Sequence, residues 1–144
     1  MSIRHAEGTW EGDLLKGTGI VKSESGVLNN PYSFRTRFET ERGTNPEELI
    51  AAAHAGCYSM ALSHMLSQAG HVPTRVHTMA DVTLEKVGEG FKITRILLTC
   101  HAVAPGIDEK TFLEIAGKAK TGCPISQALA AVPIELKATF AATS

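Results

Sequence analysis

Residues 51–70 read AAAHAGCYSMALSHMLSQAG, and this stretch decides the fold. Alanine, leucine and methionine are strong helix formers, and the run is apolar almost all the way round a 3.6-residue turn. The residues before it, ERGTNPEELI, carry start signals. Asn45 suits the cap, Pro46 the first helical position, and Glu47 and Glu48 the positive end of the helix dipole. Glu48 stands three residues after Asn45, in capping-box register. Gly70 suits the termination, so the pattern predicts a helix to about Ala69. His54, His64 and Gln68 interrupt the apolar run, and a membrane span tolerates such groups badly. The expectation is a long buried central helix, with Cys57 in its middle.

The rest of the composition narrows the class. The chain has 144 residues, 43% hydrophobic and 20% charged, which suits one globular domain over residues 1–144. A formal net charge of −1 argues against a nucleic-acid binder or a ligand of acidic membranes. Met1–Trp10 is polar and charged, with no apolar run of a leader, so a cytoplasmic location is the default expectation. Three cysteines are an odd number, which argues against a structural disulfide framework. A disulfide here would be transient and catalytic.

Along the chain, TWEGDLLKGTGIVKSESG alternates short apolar pieces with Gly17, Gly19 and Gly26, as hairpin strands do. PYSFRTRFE alternates cleanly and reads as a strand, with Tyr32, Phe34, Thr36 and Phe38 on one face. Arg35 and Arg37 would then share the other face. RVHTMADVTLEKV and FKITRILLTCHAVAP read as strands around GEG. DEKTFLEIAGKAK reads as a helix capped by Asp108, and GCPISQALAAV as another that starts at or just after Cys123. PIELKATFAA closes the chain as a strand. The order ββ(β)–α–ββ–αα–β has no regular βαβ repeat, so the fold class is α+β with a largely antiparallel sheet.

The cysteines differ in their surroundings. Cys57 lies about three turns into its helix, too far for the dipole to stabilise a thiolate. A reactive Cys57 needs another cation, and Arg35 and Arg37 are the candidates. Cys123, between Gly122 and Pro124 at a helix start, has free backbone N–H groups within reach. Cys100, between Thr99 and His101 on a strand, reads as core packing. His54 precedes Cys57 by three residues and shares its helix face. It reads as a hydrogen-bonded helix histidine, with thiol tuning or a zinc site built with Cys57, Cys123 and another His as alternatives.

TNPEELIAAAHAGCYSMALSHMLSQAG together with AKTGCPISQAL closely resembles the OsmC/Ohr family of thiol peroxidases. WEGD, SESGVLNNPYSFRTRFE and APGIDEKTF resemble its OsmC branch. The resemblance implies an intertwined homodimer and a peroxidase for organic hydroperoxides, with hydrogen peroxide a weaker substrate. It assigns the peroxidatic role to Cys57, the resolving role to Cys123, and a supporting pair to Glu47 and an arginine of RTRF. That arginine is carried to Arg37, with Arg35 in competition. Cys57 would become a sulfenic acid and condense with Cys123 to a disulfide, which an external dithiol, of lipoyl type by the resemblance, would reopen. No metal or organic cofactor is implied. The alternative is a metal- or small-ligand-binding domain that uses Cys57, His54 and Cys123 without turnover. Ten helical residues separate Glu47 from Cys57, about 15 Å along the axis and some 80° around it. A glutamate side chain cannot span that, so a site would combine Cys57 and Cys123 of one subunit with Glu47, or with Glu47 and Arg37 together, of the other.

Overall fold

The computed structural model describes residues 1–143, which form two units, Met1–Leu49 and the chain from Ile50 onward. In the first unit, β1 (Ala6–Glu11), β2 (Thr18–Ser23) and β3 (Asn29–Tyr32) make an antiparallel sheet in that order. Gly26, at φ +76°, turns β2 toward β3 in a conformation that side chains with a Cβ rarely adopt. Gly19 has another purpose. A Cβ there would lie 2.5 Å from the Tyr32 ring and 2.7 Å from the Trp10 ring. Its absence lets the two aromatic rings close over the strand, with centroids 5.3 Å apart.

The next segment corrects the sequence reading. Residues 34–38 form a short helix, α1 (Phe34–Phe38), where alternation predicts a strand. Ser33 and Thr36 make a reciprocal capping box. The Ser33 Oγ accepts from the Thr36 N–H at 3.2 Å, and the Thr36 Oγ1 accepts from the Ser33 N–H at 2.9 Å. The misleading signal has a physical source: Phe34 and Phe38 match both a period of two and the i, i+4 spacing of a helix. Their rings sit 4.8 Å apart on α1. Arg35 and Arg37, which a strand would aim the same way, lie about 200° apart around the helix.

α2 (Pro46–Gln68) follows, with Asn45 Oδ1 accepting from the Glu48 N–H at 2.8 Å as the capping pattern requires. The Asn45 amide also donates to the Thr36 carbonyl at 2.9 Å, which ties α1 to the helix start. At the far end Gly70, at φ +88°, terminates α2.

In the second unit a single stripe of α2 is fully buried: His54, Tyr58, Leu62 and Leu66, each four residues from the next. Other positions of the helix in this unit are partly buried or exposed, and Met60 is 77% exposed. β4 (Arg75–Val87) and β5 (Gly90–Val103) form a long antiparallel hairpin around Gly88–Glu89, with Gly88 at φ +63°. β6 (Ile134–Ala141) joins β5 in parallel, so the sheets are largely but not wholly antiparallel. Two helices bridge β5 and β6: α3 (Glu109–Gly122), capped by Asp108 at 2.7 Å from the Thr111 N–H, and α4 (Pro124–Ala128).

The core gathers the buried stripe of α2, alternate residues Ile96, Leu98, Cys100 and Ala102 of β5, and Phe112, Ala116 and Ala119 of α3. Tyr58 buries its ring there and donates its hydroxyl to the Ala116 carbonyl at 3.1 Å. Phe112 stacks on Phe140 of β6 with centroids 4.8 Å apart. Because Phe112 is fully buried, Phe112→Ala should lower the unfolding free energy by about 3–5 kcal/mol through lost transfer energy and the cavity left behind. Denaturant melting checks this, with a cost below about 1 kcal/mol speaking against a shared core.

Candidate active site

Cys57 stands mid-way along α2, and Cys123 occupies the junction between α3 and α4. The backbone reverses at Cys123 in a defined way. Its N–H closes the last turn of α3 on the Ala119 carbonyl at 3.0 Å, and its carbonyl accepts the Gln127 N–H at 3.0 Å to open α4. Pro124 at the first helical position keeps α3 from running on. Gly122 permits a close approach, since a Cβ there would sit 3.1 Å from the Met65 Cε of α2. The result is that two sulfurs 66 residues apart in sequence lie 2.8 Å apart, both as free thiols. A disulfide bond is about 2.05 Å long, so a small movement joins them.

The thiols lie in a weakly polar setting. Burial pushes the Cys57 thiol above its ordinary pKa, with the neighbouring Cys123 adding to the effect and a hydrogen bond from the Ile125 backbone opposing it. None of these influences is a cation. His54 supplies none either. It is fully buried, its Nε2 lies 2.7 Å from the Ser126 Oγ, and burial holds the imidazole below its ordinary pKa and therefore neutral. Its Nδ1 has no hydrogen-bond partner among the described residues. Among the described residues no three His, Cys, Asp or Glu side chains gather as metal ligands. Cys100 lies in the core under a hydrogen bond with the Thr78 side chain.

Both candidate arginines lie in the first unit. Arg37 meets Glu47 with two nitrogens: Nε lies 3.2 and 3.1 Å from the carboxylate oxygens, and Nη2 donates to Oε1 at 2.7 Å. The Glu47 side chain is 11% exposed, so this is a largely buried, forked pair. The Arg37 guanidinium also lies 5.2 Å from the Phe38 ring centroid. Arg35 instead points to solvent, 65% exposed, and pairs with Glu39 at 3.3 Å and Glu41 at 3.7 Å. Such surface pairs contribute little, about 0–1 kcal/mol. Beside Arg37 opens a pocket of about 360 Å³ walled by Trp10, Leu14, Tyr32, Phe34 and Phe38.

Sequence reasoning missed Ile125 and Ser126, both part of the setting of the sulfurs. Nothing in the run CPISQA marks them, because their roles depend on where α4 lies against α2. It also missed the pocket beside Arg37, since a strand would not have folded Phe34 and Phe38 together.

Residues 39–137 match the family model described as OsmC-like protein. Over 123 residues the chain is 61% identical to Peroxiredoxin OsmC of Escherichia coli (strain K12), covering 85% of this chain and 86% of that one. It is 28% identical over 124 residues to the organic hydroperoxide resistance protein OhrB of Bacillus subtilis (strain 168), covering 83% and 89%. The crystal structure of Bacillus subtilis OhrB superposes with a TM-score of 0.70 at 27% identity, covering 94% of this chain and 98% of that one. These similarities define the class as a peroxidase. The chain belongs to the OsmC-like family. Among the described residues no helix is long and apolar enough to cross a membrane.

Burial raises the pKa of Cys57, Cys100 and the Tyr58 phenol alike. The folded chain thus keeps protons that the unfolded chain releases. This stability is complete below the ordinary thiol value of 9.0 and is lost as pH rises above it. The melting temperature of the reduced protein should fall from about pH 8 to about pH 10, and less steeply in Cys100→Ala. An identical fall in the variant would remove Cys100 from the account.

Proposed function

We propose that the protein reduces organic hydroperoxides, and hydrogen peroxide more weakly, through a sulfenic acid on Cys57 that Cys123 resolves as an intramolecular disulfide. The observation that carries this reading is the 2.8 Å approach of two free thiols from distant parts of the chain. The Cys57 thiolate attacks the outer peroxide oxygen, the O–O bond breaks, and the alkoxide leaves to be protonated to the alcohol. Cys123 then displaces hydroxide from the Cys57 sulfenic acid, and water leaves as the disulfide forms. An external dithiol, for which a lipoyl-type compound is the candidate, reopens the bridge by exchange.

The cation this chemistry needs is Arg37. A half-buried thiol with a raised pKa is a weak nucleophile at neutral pH, and a guanidinium favours both the thiolate and the charge developing on the peroxide oxygens. Glu47 fixes the guanidinium in a forked pair. Ten residues of α2 separate Glu47 from Cys57, about 15 Å, so we assign the two halves of each site to different copies in a homodimer. The open positions of α2, Met60 foremost, offer that second copy an apolar face. The aromatic pocket beside Arg37 suits the alkyl part of an organic hydroperoxide, in keeping with the organic hydroperoxide resistance proteins among the relatives.

With a dithiol reductant, Cys57→Ser should abolish hydroperoxide turnover. Cys123→Ser should consume about one equivalent and then over-oxidise. Continued turnover by Cys57→Ser would end the assignment. Mixing Cys57→Ala chains with Glu47→Ala chains should restore activity, because one site of the mixed dimer is then complete. Arg37→Ala should slow Cys57 alkylation at neutral pH by about tenfold, while Arg35→Ala leaves it unchanged. No recovery on mixing, or equal effects of the two arginines, contradicts a site shared in this way.

A further inference from the structure

The thiol pair needs something to hold α4 in place, and α4 does not do so by itself. It has five residues, and the Cys123 side chain at its cap position does not cap the helix N–H groups. A helix so short has little stability of its own. What ties it to α2 is a contact across 72 residues of sequence: His54 Nε2 lies 2.7 Å from the Ser126 Oγ. Both side chains are buried, His54 completely and Ser126 to within 4%. His54 stands three residues before Cys57 on α2, and Ser126 three residues after Cys123 on α4. The bond therefore runs beside the sulfur pair and links the two elements that carry it.

The chemistry of His54 argues against a role in filling space. Its Nδ1 is buried without a partner, a penalty that an apolar residue of similar size would avoid. The less costly tautomer places the proton on Nε2, which donates to the Ser126 oxygen and leaves Nδ1 as a bare acceptor. Because burial holds the imidazole neutral, the contact is an uncharged hydrogen bond with a fixed direction.

We propose that His54 and Ser126 form a latch that positions Cys123 against Cys57 and sets the rate and equilibrium of disulfide formation. The latch acts through the sulfurs and touches no substrate, so His54 and Ser126 are positioning residues. In the step they serve, the S–S bond forms, the S–O bond of the Cys57 sulfenic acid breaks, and the Cys123 proton leaves with the hydroxide as water. This role rests on the resolving function proposed for Cys123.

The latch can be tested without peroxide. Equilibrating the full-length reduced protein in buffers of reduced and oxidised glutathione measures the effective concentration of Cys123 toward Cys57. Ser126→Ala and His54→Asn should each lower it about tenfold, and the double variant should fall no further than either single one. His54→Gln, whose amide reaches the place of Nε2, should recover most of the loss. A merely structural role would lower the melting temperature and leave the effective concentration within about twofold of wild type in both single variants; that result overturns the latch, and so does an additive double variant. Wild-type protein that forms this disulfide readily but consumes no hydroperoxide would refute the peroxidase reading and leave the latch standing.

Discussion

Two thiol sulfurs 2.8 Å apart, one mid-way along α2 and the other at the break between α3 and α4, demand that three elements keep their places together. Much of the second unit follows from that demand. Gly122 lets the end of α3 close on Met65, Pro124 forces the chain to break at Cys123, and Tyr58 fastens α2 to the Ala116 carbonyl in α3. The fully buried stripe of α2 supplies the packing that holds the helix steady. Cys57 lies on the flank of that stripe, half-buried, where packing fixes it without sealing it.

Burial has an electrostatic consequence. It gives the sulfurs a fixed geometry and at the same time disfavours the thiolate. In the second unit only the hydrogen bond from the Ile125 backbone opposes this. The first unit holds a guanidinium locked in a fork by Glu47 at the edge of an aromatic pocket. Removing one member of such a pair would strand the other charge, so the pair is kept or lost as a unit.

Most elements were legible because their signals are local. The caps at Asn45 and Asp108, the stop at Gly70 and the alternation of β6 each depend on a few neighbouring residues, and each holds in the structure. α1 was not legible. Phe34 and Phe38 satisfy two periods at once, and only the hydrogen bonds of Ser33 with Thr36 decide between them. That one difference separates Arg35 from Arg37. On a strand they would be equivalent; on a helix one faces Glu47 and the other faces solvent.

The sequence by itself determined which elements hold the candidate residues: two cysteines with distinct surroundings, a capped helix led by Glu47, and a pair of arginines. Tertiary structure decided which of these meet. The sulfur distance, the pairing of Glu47 with Arg37 rather than Arg35 and the bond between His54 and Ser126 arise from contacts between residues distant along the chain or from the winding of one short helix. Local propensity sets the conformation of a segment. Where that segment lies against another depends on packing and hydrogen bonds that no short stretch of sequence contains.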